Sequence, residues 1–190
     1  RIDYSNDTPT AVAKGPLTAA KYASAGTGNA SFGYFGGGHP GPLSTVDRID
    51  YSNDTATAVA KGPLNLTKRA VAATGNQSFG YFGGGESGPA KSTVDRIDYS
   101  NDTATAVAKG PLSVARYSLA STGNANFGYF GGGRTPSVLS SVDRIDYSND
   151  TATAVEKGPL SRTTHSLAAT GSASFGYFGG GESSKSTVDR

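Results

Sequence analysis

One heptapeptide, Phe-Gly-Tyr-Phe-Gly-Gly-Gly, occurs four times unchanged, at residues 32–38, 79–85, 127–133 and 175–181. A second phrase, Arg-Ile-Asp-Tyr-Ser-Asn-Asp-Thr, opens each repeat at Arg1, Arg48, Arg96 and Arg144, so successive starts are 47, 48 and 48 residues apart. A fixed period of this size is the signature of a solenoid, a propeller or an array. One such repeat cannot bury its own apolar face, so residues 1–190 are expected to form a single repeat domain with one continuous core. The chain begins with Arg in mid-repeat, contains no Met, and ends on Arg190 where a fifth copy would start. That is expected of a processed product or of part of a longer chain, and no signal peptide is expected within these 190 residues.

Composition enters as a constraint on that core. The 27 glycines sit at fixed places within each repeat and follow no Gly-X-Y spacing, which argues for special backbone geometry and against disorder. Seventeen basic and 15 acidic residues are dispersed without runs, giving a net charge of +2. Nucleic-acid binding is therefore not expected, because it needs a clustered basic face. No apolar segment approaches the roughly 20 residues of a membrane span, so membrane insertion is not expected. With no Cys, disulfides, thiolate chemistry and Cys-ligated metals are excluded.

Within the second repeat, residues 44–51 are rich in strand formers and run into Ser52-Asn53-Asp54, a turn signal. Residues 55–59, Thr-Ala-Thr-Ala-Val, alternate polar and apolar as a half-buried strand does, and Gly62-Pro63 ends that ladder. A third strand is expected over 69–74, a tight turn at Gly75-Asn76, and a fourth strand over 78–82 closed by the glycines. Four short strands per repeat, with no helical periodicity, predict an all-β propeller with one four-stranded blade per repeat; four copies could close a small ring, form half of a larger one by dimerising, or belong to an open filament. The glycines beside Tyr81 and Phe82 suit a strand near the axis, where blades crowd. Val46 and Ile49 both look like core residues, yet three positions apart places them on opposite faces. Either a β-bulge near Asp47 and Arg48 reconciles them, or Val46 faces the next blade.

Tyr81-Phe-Gly-Gly, a variable loop, residues 92–102 (Ser-Thr-Val-Asp-Arg-Ile-Asp-Tyr-Ser-Asn-Asp), Gly110-Pro-Leu and the basic Arg116 together resemble the kelch repeat. The resemblance covers all four repeats and implies a kelch-like β-propeller. It departs at one place: the kelch Trp is absent, and Ala or Thr of residues 103–106 stands near its position. In kelch order the resemblance implies an inner strand A at 70–74, B at 79–82, C at 94–99 and an outer D at 103–107. Residues 1–13 would then complete the blade begun by 166–181 if the ring closed. The wording of the repeat is also similar to virion structural proteins of phages that infect marine cyanobacteria. That likeness implies a virion or extracellular location and a tail-fibre-like role in host attachment.

Comparison of the repeats with one another locates the candidate site. The hairpin turns hardly vary, whereas two segments do: the one after the triple Gly and the one after Gly-Pro-Leu. The first contains His39, Glu86, Lys91, Arg134, Glu182 and Lys185; the second contains Lys21, Tyr22, Lys68, Arg69, Arg116, Tyr117, Arg162 and His165. In an antiparallel four-stranded blade both segments emerge at the same end, so they are expected to form one variable rim. Binding residues concentrate on loops held by a rigid scaffold. The rim is therefore the candidate contact for a host surface glycan or protein, with self-association or neighbouring virion proteins as further candidate partners. Drift in exposed loops that tolerate change is the competing explanation.

Enzymatic chemistry is not expected. Asp50, Asn53 and Asp54 offer oxygen ligands, but their spacing matches no EF-hand loop. No Gly-Lys-Ser/Thr follows the triple Gly, so it is not a phosphate loop. His39 and His165 lie in different repeats without matching partners, and Arg96 and Asp98 read as a structural ladder between blades. No metal or cofactor is expected. A cellular kelch-type interaction module and a ligand-free, consensus-like or designed scaffold are the alternative functional readings.

Overall fold

The computed structural model describes residues 1–182 and 186–190. Its first sheet contains β1 (Ala25–Gly28), β2 (Phe32–Gly36), β3 (Val46–Asp50) and β4 (Val59–Lys61) in that spatial order, every pair antiparallel. The second repeats it with β5 (Ala72–Gly75), β6 (Phe79–Gly83), β7 (Val94–Asp98) and β8 (Val107–Lys109). The third has β9 (Ala120–Gly123) and β10 (Phe127–Gly131), then a small hairpin of β11 (Arg134–Thr135) and β12 (Ser137–Val138), then β13 (Val142–Asp146) and β14 (Val155–Lys157). The fourth holds three strands, β15 (Ala168–Gly171), β16 (Gly176–Gly179) and β17 (Val188–Asp189). The inner strands pack in succession, β1 on β5, β5 on β9 and β9 on β15. The result is a four-bladed β-propeller.

The outer strand is displaced from its expected place. Residues 55 and 56 belong to a turn and bend, 57 and 58 are irregular, and strand D runs over Val59–Lys61 instead of 55–59. Local hydrogen bonding wins over alternation here. Asp50 accepts from the backbone N–H and hydroxyl of Ser52 and caps a 3-10 turn over Tyr51–Asn53, and Ala56 N–H then closes back on Asn53. Asp98 and Asp146 do the same in the next two blades. Strand A likewise starts later than expected, at Ala72 instead of residue 69 or 70.

No bulge separates Val46 from Ile49; the β2–β3 register is continuous from Gly36↔Val46 to Phe32↔Asp50. Both faces of the blades inside the row are covered, because blades stand side by side. Tyr34, Val46 and Leu64 of the first blade pack on Phe82, Ile97 and Ala106 of the second. Tyr81, Val94 and Leu112 repeat this against Phe130, Ile145 and Ala154. Each blade thus has a leading face of Tyr, Val and Leu and a trailing face of Phe, Ile and Ala. The first Gly of each triplet makes room for the neighbour: a Cβ on Gly36, Gly83 or Gly131 would lie 2.6–2.7 Å from the ring of Phe82, Phe130 or Phe178.

Polar groups bind the same joints. Tyr34 and Arg48 both donate to Asp102 of the next blade, at 2.9 and 2.8 Å, and Lys61 sits 3.1 Å from its other oxygen. Tyr81, Arg96 and Lys109 converge in the same way on Asp150. Arg96 thus belongs to a ladder between blades, although its partner is Asp150 and not Asp98. Tyr99 stacks on Tyr34 with centroids 4.7 Å apart, and its hydroxyl meets Thr27 at 3.1 Å. Tyr147 does the same with Tyr81 and Thr74. Burial pushes the Tyr99 and Tyr147 hydroxyls up to about 12, against a smaller lowering by their threonine partners.

One chain does not close the ring. Residues 1–13 are exposed throughout and pair with no strand of the fourth sheet. Val188 is 65% exposed where Val46 and Val94 are fully buried. The expected completion of the fourth blade by residues 1–13 is therefore absent within a single molecule.

Candidate binding rim

The two variable segments of each repeat meet at one point per blade. Tyr22 pairs with His39, Arg69 with Glu86 and Tyr117 with Arg134, each through two backbone hydrogen bonds of 2.9–3.2 Å. Glu182 N–H donates to His165 C=O at 2.9 Å in the fourth blade. The turns that hardly vary adjoin at the opposite end, where Tyr51, Tyr99 and Tyr147 N–H groups reach the carbonyls of Ser31, Ser78 and Asn126. Variation therefore does collect on a single rim.

The residue after each rim position adopts a left-handed backbone: Ala23, Ala70, Ser118 and Ser166 have φ of 52–54°. For a residue with a Cβ this conformation costs roughly 1–2 kcal/mol. It is held because each N–H donates to the previous one's carbonyl, Ala70 to Ala23, Ser118 to Ala70 and Ser166 to Ser118, at 2.8–2.9 Å. The third Gly of the first three triplets joins this main-chain row: Gly38, Gly85 and Gly133 donate to the carbonyls of Lys68, Arg116 and Thr164. The rim is thus positioned by backbone, and its side chains are left to vary.

The four pairs have four chemistries. The Tyr22 and His39 rings lie 4.6 Å apart, and Tyr22 is exposed. Arg69 Nε donates to Glu86 Oε1 at 3.0 Å. The Arg134 guanidinium stands 5.6 Å from the Tyr117 ring centre. His165 Nε2 contacts the Glu182 carboxylate. Arg162 is exposed and Lys91 half-buried on the same segments, and Lys185 lies outside the described residues.

Three residues expected on this rim face the interior instead. Lys21, Lys68 and Arg116 have side chains 0–1% exposed and pair with Asp47, Asp95 and Asp143 at 2.9, 3.1 and 3.5 Å. Strand C carries each Asp with its carboxylate inside the blade, and the basic residue of the preceding connection folds under to neutralise it. Burial lowers the Lys68 ammonium from its ordinary value, against the pull of Asp95. Arg116 also donates to the carbonyls of Gly132 and Ser141. Thr164 holds this place in the fourth blade.

The other positions weighed for chemistry are committed elsewhere. Asp50 caps its own turn and Asp54 pairs with Arg1 and Lys14. Among the described residues no cluster of three His or acidic side chains converges, and no helix is long and apolar enough to cross a membrane. Sequence reasoning missed one feature, a cavity of about 230 Å³ beside the third and fourth blades, lined by Tyr129, Val142, Lys157, Leu160 and Phe175 among others.

No protein-family model matches the chain, and no curated protein matches it. Its class rests on the architecture alone: a β-propeller of tandem repeats whose rim pairs differ from blade to blade.

Proposed function

We propose that this is a non-enzymatic structural and binding propeller that presents its variable rim to a host surface glycan or protein. The wording of its repeats favours a virion component, of tail-fibre type. The observation that carries the reading is the row of four unlike pairs, Tyr22–His39, Arg69–Glu86, Tyr117–Arg134 and His165–Glu182, on one backbone frame. A constant scaffold with unlike side chains along one edge is how loop-borne recognition is usually arranged. Exposed Tyr22 and Arg162 add an aromatic surface and a cation suited to sugar faces and acidic groups.

Glycan-array and host-cell binding test this directly. Replacing residues 86–91 and 134–140 by one common loop should cut binding at least tenfold while the melting temperature stays within a few degrees. Undiminished binding overturns the rim. A second reading, a scaffold without ligand, is favoured by the way each rim pair satisfies itself within its own blade. Free exchange of all four loops, with no ligand found, would decide for it.

A further inference from the structure

The end of the propeller opposite the variable rim carries the same cleft twice. One lies between the first and second blades and has a volume of about 450 Å³; the other lies between the second and third and has about 350 Å³. Both fall within the range of roughly 300–1,000 Å³ found for small-molecule sites. Each is made from the same repeat positions. The earlier blade contributes its turn amide and the first aromatic of strand B, Asn29 with Phe32 or Asn76 with Phe79. The later blade contributes the start of its own strand B and an Asp-Tyr-Ser turn, residues 98–100 or 146–148. Neither cleft includes a residue of the variable segments.

The polar groups of the clefts are held from behind. Asn29 Oδ1 accepts from the N–H groups of Ser31 and Phe32 at 2.9 and 3.0 Å, and Asn76 Oδ1 does the same for Ser78 and Phe79. Asp98 Oδ1 accepts from the Ser100 N–H and hydroxyl at 2.9 and 2.7 Å, and Asp146 is held alike by Ser148. Those bonds from serine keep both carboxyls below their ordinary 3.8, so each is an acceptor only at neutral pH. The aromatic walls are fixed as well. Tyr99 and Tyr147 commit their hydroxyls to Thr27 and Thr74, which leaves ring surface as their contribution.

We infer that each cleft binds one neutral sugar residue, so that the face opposite the rim takes a glycan at equivalent sites between successive blades. A pyranose has an apolar C–H face and a girdle of hydroxyls that both donate and accept. Phe32 with Tyr99, and Phe79 with Tyr147, are half-buried walls for the first. Oδ2 of Asp98 or Asp146 accepts from a sugar hydroxyl, and the turn amide donates to another. Asn29 Nδ2 is held only by the Gln77 carbonyl at 3.4 Å, and Asn76 Nδ2 only by that of Ala125 at 3.4 Å, long bonds that a hydroxyl replaces readily. Charge selects a neutral ligand. The Arg96 and Arg144 charges act on Asp98 and Asp146, so neither carboxylate stands unopposed for an ammonium group. Sameness from blade to blade suits a glycan of repeating units, whereas the rim pairs are unlike. The site rests on the clefts alone and stands whether or not the rim binds anything.

Amide NMR spectra of the 190-residue chain, titrated with the methyl glycosides of glucose, galactose, mannose and N-acetylglucosamine, test this. At least one of them should shift the amides of residues 98–100 and 146–148 together, along a single binding curve, while choline and sialic acid should not. Asp98→Asn with Asp146→Asn keeps the oxygen that caps each turn and removes the charged acceptor, so binding should weaken about tenfold or more. Exchange of the rim loops 86–91 and 134–140 should leave the curve unchanged. The inference is overturned if none of the four glycosides moves those amides, if the shifts fall on the rim instead, or if the double variant binds as the wild type does.

Discussion

Lys68 and Asp95 show how much a single side chain carries here. Both are fully buried and 3.1 Å apart, and the ammonium also reaches Thr93 Oγ1 at 3.2 Å. Removing one member leaves the other charged and dry, so Lys68→Ala should cost about 3–5 kcal/mol, whereas Lys68→Met with Asp95→Leu should cost far less. Chemical denaturation of the two variants measures this. A second residue-scale expectation concerns acid. For Asp102, burial raises the carboxyl but the hydrogen bonds from Lys61 and Tyr34 and the charge of Arg48 outweigh it, holding it below its ordinary 3.8; Asp150 is held likewise by Lys109, Tyr81 and Arg96. A carboxyl depressed by folding contributes stability that is full above its unfolded value and lost as pH falls through the folded one. Melting temperature should therefore be flat near neutrality and fall below about pH 4, and the fall should be shallower in Asp102→Asn with Asp150→Asn. An equally steep fall in the double variant would place the acid-sensitive groups elsewhere.

At the scale of the blade, the two unlike faces explain why the heptapeptide recurs unchanged in all four repeats. Tyr81 points forward and Phe82 backward, while the glycines after them lie against the next blade. Gly84 has φ of +71°, and a Cβ there would stand 2.6 Å from the carbonyl oxygen of Arg116. Gly84→Ala should cost about 2 kcal/mol or more, combining the left-handed penalty with overpacking, read as a shift in the denaturation midpoint. This is where the fold was most legible: a repeated Gly-rich strand beside variable loops predicts both crowding and a variable rim. Strand D was misplaced because Thr-Ala-Thr-Ala alternates like a strand, while Asp50 and Ser52 had already committed the backbone to a turn. Spacing alone could not tell whether Val46 and Ile49 required a bulge. The answer lay in the neighbouring blade, which covers the second face.

For the molecule as a whole, the rim was readable from repeat-to-repeat variation, but variation did not say which way a side chain turns. Lys68 and Arg116 differ between repeats because either cation satisfies the same buried carboxylate position. Arg69 and Tyr117, one residue further on, differ because their partners Glu86 and Arg134 differ with them. The rim exchange therefore leaves undisturbed the row of main-chain hydrogen bonds through Ala23, Ala70, Ser118 and Ser166.

That row of hydrogen bonds is made of main-chain atoms, so it does not distinguish one copy of the repeat from another. A recombination that gains or drops a whole copy would recreate the same junction on either side of the change. Such a change would alter the number of blades and the order of rim chemistries together, without requiring a new backbone contact.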